Sequence, residues 1–198
     1  MIEYTAARAW NKEEGDMEKA RSRKLTVKDM AQVGMMTALL VVCAWVTIPF
    51  AIPFTLQTFG VFTSLRLLGG RRGTAAIGLY ILLGIAGVPV FSGFGAGFGV
   101  IAGPTGGYIA GFILTGLLYC AAAPLRKTRL RENLVLACGL ILCYAFGTAW
   151  FCVVKGNAGS PVDFLRALSI CVLPYLLPDA VKLLLADQIA TRVRKALG

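Results

Sequence analysis

Asp179 and Lys182 interrupt the last apolar stretch of the chain, three positions apart and therefore on one face of a helix. Ionisable groups within membrane-length apolar stretches are costly and face a bundle interior or water, so the pair reads as the lining of a polar pocket rather than as a self-neutralising structural pair. A carboxylate there accepts ligand N–H groups, and an ammonium donates to carbonyl or carboxylate oxygens. With the last span expected to begin at Pro178, Asp179 falls in its first turn, where the helix dipole favours negative charge. Asp187, two turns further on and followed by Arg192 and Arg194, reads as solvated or partner-facing.

Two other segments carry polar or adaptable groups. Pro53-Phe-Thr-Leu-Gln-Thr58 brings Thr55, Gln57 and Thr58 to one link. The stretch from Pro89 to Tyr108 is rich in glycine, which lets backbone approach a ligand closely, and its Phe91, Phe94 and Phe98 read as an apolar lid. It contains no GxxxxGK[ST] phosphate loop, and the chain has no GxGxxG. The chain has no histidine, which removes the usual general base and metal ligand. Its six cysteines lack CxxC spacing and read as small buried hydrophobes. These features disfavour a membrane enzyme and leave small-molecule capture as the expected activity, with no cofactor and no metal.

The elements that must position these groups are helices in a bilayer. Hydrophobic residues make up 57% of the 198 and charged residues 15%, more apolar surface than a chain this size can bury in water. Residues 1–28 are polar and mixed in charge and read as a cytoplasmic tail; 29–198 read as a single six-helix membrane domain. The expected spans are Met30–Ile48, Thr55–Leu68, Thr74–Val88, one from Pro104 or Thr105 to Ala123-Pro124, Asn133–Val154, and Pro178 to about Ala196. A basic glycine turn at 69–73, a glycine-rich link at 89–103 and a basic loop at 126–131 separate them. Residues 162–173 are expected as a short helix near the outer surface, one long kinked helix being the rival reading. With six crossings and both termini inside, 17 of the 20 basic residues fall on the cytoplasmic side. That pattern fits membrane topology and argues against nucleic-acid binding.

Four segments together resemble the BioY family of biotin transporters, the substrate-binding S components of energy-coupling-factor importers. They are Pro53-Phe-Thr-Leu-Gln-Thr58, Gly84 through Phe91, Gly103-Pro-Thr-Gly-Gly-Tyr108 and Pro174-Tyr-Leu-Leu-Pro-Asp-Ala-Val-Lys182, in a match over about residues 30–196. The resemblance implies a six-helix S-component fold with biotin bound near the outer face. It implies that Asp179 and Lys182 take the family's acidic and basic pocket positions, with Thr55, Gln57, Gly103 and Thr105 beside them and apolar walls from Tyr80, Phe91 and Tyr108. It also implies that small residues on the first helix, here Ala31, Gly34 and Ala38, pack on a membrane coupling subunit that works with a pair of ATPases. Slow uptake by a solitary oligomer, and an S component for a thiamine- or riboflavin-type vitamin, remain the alternatives. The family usually has proline-glycine before the aspartate; here it is Leu177-Pro178, so a different turn into the last helix is expected.

Overall fold

The structure is a computed structural model that describes residues 26–49, 52–126 and 128–196. The tail assigned to 1–28 therefore lies almost wholly outside the described residues. The chain divides into Met1–Ala31 and Gln32–Gly198. In the first unit, Thr26 and Asp29 cap one another reciprocally, the Asp29 N–H donating to Thr26 Oγ1 at 3.2 Å and the Thr26 N–H to Asp29 Oδ2 at 3.1 Å. This capping box starts helix α1, Val27–Trp45.

The second unit is almost entirely helical. After α1 a two-strand ribbon, β1 (Thr47–Ile48) and β2 (Phe54–Thr55), pairs antiparallel with Thr47 opposite Thr55. Helix α2, Gln57–Ile85, is broken at Gly69, whose φ of 78° and ψ of 174° suit glycine. Its two halves fold back on one another: a Cβ at Gly73 would sit 2.8 Å from Leu65 Cα. The expected turn at 69–73 thus shrinks to one residue, because Gly69 alone reverses the chain and Arg71 and Arg72 already lie in helix.

The glycine-rich link is not plain loop. It holds a 3-10 turn, Ser92–Phe94, and a short helix α3, Phe98–Ala102. Its anchors are the Gly97 N–H, which donates to the Gly84 carbonyl at 2.7 Å, and Trp45 Nε1, which donates to the Pro89 carbonyl at 2.9 Å. Helix α4, Gly106–Ala121, packs closely on α5, Arg129–Asn157, along a seam of glycines. A Cβ at Gly111 would lie 2.6 Å from Cys143 Sγ, and one at Gly147 2.3 Å from the Tyr108 ring, so these small residues set the helix separation. Helix α5 begins four residues before the expected Asn133, because Thr128 caps it by accepting the Arg131 N–H. Much of the expected basic loop is therefore helical.

Helix α6, Phe164–Cys171, is the expected short helix, capped by Asp163. It meets α7, Leu173–Ala196, at a bend of 44°. The last helix thus starts at Leu173 rather than Pro178. Pro174 occupies its first turn, where a missing N–H costs nothing, and Pro178 lies inside the helix. Asp179 is consequently beyond the first turn, and the helix terminus does not account for its charge. No turn separates Leu177-Pro178 from what precedes it.

The outward surface suits lipid. Leu177 is 77% exposed and Leu82, Ile141 and Leu184 are more than half exposed, whereas Tyr80, Phe91 and Tyr119 are fully buried. The chain is an all-α, multi-pass membrane protein. By length and composition, α1 and α5 each suffice to cross a bilayer, and α6 with α7 passes the same test as a bent pair. Cys43, Cys143 and Cys171 are buried, Cys120 and Cys152 partly so, and Cys138 faces outward; all six are free thiols.

Candidate functional site

Asp179 and Lys182 point inward from α7, 2% and 6% exposed. Lys182 Nζ donates to Asp179 Oδ1 at 2.7 Å and to the Thr55 carbonyl at 2.6 Å. It also lies 4.3 Å from the centre of the Phe54 ring. Asp179 Oδ1 further accepts from Thr58 Oγ1 at 2.9 Å, and Oδ2 accepts from the Tyr144 hydroxyl at 2.5 Å. A carboxylate has about four acceptor positions and an ammonium three donors. Three acceptor positions and two donors are occupied within the protein, and Nζ also faces the Phe54 ring.

The two residues open onto a cavity of about 60 Å³, taken as the space open to the centre of a water-sized sphere. Strand β2 contributes Thr55, the start of α2 Gln57 and Thr58, the glycine-rich link Ser92, and the start of α4 Thr105 and Tyr108. Apolar walls come from Ile109, Phe112 and Leu140, and Tyr144, Cys171 and Tyr175 close the remaining side. Tyr175 is fixed by donating its hydroxyl to the Ile52 carbonyl. Tyr108 is fixed by a 3.1 Å hydroxyl contact with Thr148. Gly107 allows the start of α4 to approach: a Cβ there would lie 2.3 Å from Trp150 Cβ.

Of the residues expected at the site, Thr55, Gln57, Thr105, Tyr108, Asp179 and Lys182 share this cavity. Tyr80, Phe91 and Gly103 stand behind its wall. Tyr80 is fully buried and accepts from Gln57 Nε2 at 2.6 Å, while Thr55 Oγ1 donates to Gln57 Oε1 at 3.0 Å, so Tyr80 acts by orienting the Gln57 amide. Phe91 packs edge-on against Tyr80 at 5.5 Å and fills the space beside Gly84. The Gly103 carbonyl accepts from Trp150 Nε1 at 3.0 Å. The aromatic lid is divided: Phe91 is buried, whereas Phe94 and Phe98 are 62% and 67% exposed, Phe94 stacking on Trp45 at 5.1 Å.

Tyr144 and Tyr175 were not singled out from the residue pattern, whereas Thr58 belongs to the polar trio expected there. Thr58 and Tyr175 fall within the quoted motifs; Tyr144 sits in an apolar run and has no such signal. Asp187, expected to be solvated or partner-facing, is largely buried: its Oδ1 lies 2.7 Å from Arg66 Nη1, inside an ionic cluster that also holds Glu132.

Ala31, Gly34 and Ala38 are all exposed on α1. Gly34 and Ala38 border an apolar surface groove with Val41, Leu79 and Leu83, and a Cβ at Gly34 would meet nothing within 4 Å.

Comparison with known proteins places this geometry. The BioY family model matches residues 17–198. The biotin transporter BioY of Thermotoga maritima is 38% identical over 170 residues, covering 85% of this chain and 97% of that protein. The probable biotin transporter BioY of Pyrococcus horikoshii is 34% identical over 171 residues, covering 86% and 98%. A crystal structure of the S-component for biotin from an ECF-type ABC transporter superposes with a TM-score of 0.75 at 27% identity, covering 85% of this chain and 92% of that one. With its whole helical domain matched and the S-component fold shared, this chain belongs to the BioY family.

Proposed function

We propose that the chain captures biotin in the Asp179–Lys182 cavity as the substrate-binding membrane subunit of an ECF-type importer. Its role is transport, not catalysis. The observation that carries this reading is a buried carboxylate and ammonium 2.7 Å apart, facing an otherwise largely apolar cavity. The biotin ureido ring has N–H donors and a carbonyl acceptor, the complement of the Asp179 carboxylate and the Lys182 ammonium. Its thioether ring and valeryl chain suit the walls of Ile109, Phe112, Leu140 and Tyr144. Thr55, Gln57, Thr105 and Tyr108 add polar contacts, while Tyr80, Phe91 and Gly103 hold those groups in place.

Calorimetric titration of the purified chain with biotin, thiamine and riboflavin tests the reading. Biotin is expected to bind at least about tenfold tighter, ~1.4 kcal/mol, than either competitor. Tighter binding of another vitamin would reassign the substrate.

Six crossings with both termini cytoplasmic follow from the charge distribution. The exposed face of α1 bearing Ala31, Gly34 and Ala38 is the proposed contact with the membrane coupling subunit, to which the ATPase pair attaches. A glycine with open space over it serves no packing need among the described residues and suits close approach by another helix. Ala38→Trp is expected to leave biotin affinity unchanged and to prevent co-purification of the coupling subunit. Unchanged co-purification would move the contact elsewhere and favour a self-oligomer.

A further inference from the structure

A second polar site lies about 13 Å along the helices from the biotin cavity, nine residues past Gln57 on α2 and eight past Asp179 on α7. Arg66, 1% exposed, is its centre. Its Nη1 lies 2.7 Å from Asp187 Oδ1 and 3.3 Å from Glu132 Oε2, and its Nη2 donates to Asn133 Oδ1. The Tyr119 hydroxyl donates to Glu132 Oε1. Arg129 Nη2 donates to Asp187 Oδ2 at 3.2 Å and to Thr191 Oγ1 at 2.7 Å, and Arg194 donates to the Arg66 carbonyl.

This network does not balance. Among the described residues, the open cleft beside it is lined by Arg66, Arg129, Arg194 and Lys195, with Glu132 and, through Arg66, Asp187 as the carboxylates. Four cations face two anions. Arg66 Nε is buried with no hydrogen-bond acceptor. A buried donor without a partner is destabilising, more so when charged, so this guanidinium retains unused hydrogen-bonding capacity. The cleft also opens beside the first turn of α5, where the helix dipole favours an anion. The Arg129 and Arg194 side chains are 60% and 51% exposed, so both can swing onto a guest while Arg66 stays fixed. The lining cations are mostly arginine, whose planar fork matches phosphate oxygens.

We propose that this cleft binds a phosphate-bearing anion, held by Arg66, Arg129 and Arg194. Its mouth lies where two helices, α5 and α7, begin and end, at the edge of the bilayer. The two available sources are therefore the phosphate of an anionic phospholipid headgroup and free inorganic phosphate. The site is separate from the biotin cavity and does not depend on that assignment.

Native mass spectrometry of the full chain with added phosphatidylglycerol or phosphatidylcholine separates the sources, alongside thermal unfolding in detergent with inorganic phosphate. The comparison variant is Arg129→Gln/Arg194→Gln, at two exposed positions, with folding checked by far-UV dichroism. Phosphatidylglycerol preferred about tenfold or more by the wild type, and not by the variant, assigns a lipid headgroup. No lipid preference, with inorganic phosphate raising the unfolding midpoint of the wild type alone, assigns free phosphate. Arg194→Lys, which keeps the charge, is expected to retain part of either effect. Equal behaviour of wild type and double variant in both assays overturns the proposal.

Discussion

At the residue scale, binding rests on how much of Asp179 is already committed. Thr58, Tyr144 and Lys182 occupy three of its acceptor positions, so a guest N–H meets an oxygen aligned before it arrives. Asp179→Asn keeps the shape but removes the charge, and is expected to weaken biotin binding by about 1.5–3 kcal/mol, read by calorimetry. Near-normal affinity would make Asp179 a structural residue. A second comparison separates pairing from binding. Lys182→Met leaves a buried carboxylate without its cation and is expected to cost about 3 kcal/mol or more of stability. Adding Asp179→Asn removes the stranded charge and is expected to recover most of that stability while biotin binding stays lost, as read by thermal unfolding and titration. Recovery of binding in the double variant would refute a ligand-facing role for the pair. The pair was legible in the residues because charge in an apolar run demands an explanation. Tyr144 was not: an aromatic in such a run reads the same whether it faces lipid or a carboxylate. The indirect role of Tyr80 was hidden for a related reason, since hydroxyl direction is set by the fold and not by residue type.

At the element scale, the glycine seam between α4 and α5 sets the width of the cavity. Gly147 faces the Tyr108 ring, and the Tyr108 hydroxyl meets Thr148 one residue further on. Gly147→Ala would place a methyl 2.3 Å from Tyr108 Cδ1. The expected result is about 1–3 kcal/mol of overpacking and weaker biotin binding, because the displaced ring lines the cavity. Gly156→Ala, on the same helix with nothing within 4 Å, is the control and is expected to be neutral or stabilising by up to about 1 kcal/mol. Parallel unfolding curves for the two variants would show that the seam does not set the spacing. The reversal at Gly69 and the short helix before α7 were legible because glycine pairs and prolines punctuate apolar runs. The start of α7 was not, since two prolines compete for the first turn and Pro174 rather than Pro178 takes it. Thr128 as the cap of α5 was masked by the arginines around it.

At the scale of the whole molecule, the two polar sites sit about 13 Å apart along the shared helices. The proposed biotin cavity is closed by links with no Lys or Arg, while the Arg66 cleft gathers charge from three helices. Segregation of basic residues was visible along the chain, but the burial of Arg66 was not: in a linear pattern a basic residue at the end of a span reads as solvated. The same segregation makes a test of topology. Lys155 lies in the last turn of α5 near an expected outer surface, whereas Arg131 lies at the expected inner end of the same helix. In a background with the six native cysteines replaced by alanine, Lys155→Cys is expected to react with a membrane-impermeant maleimide on intact cells. Arg131→Cys is expected to react only after the membrane is opened. Both positions belong to one helix of 29 residues, about 43 Å long and sufficient to cross, so opposite reactivity at its two ends is a direct readout of one crossing and its direction. Labelling of Arg131→Cys on intact cells would invert the bundle, put the biotin cavity on the cytoplasmic side, and leave no route by which an importer's binding subunit meets its substrate.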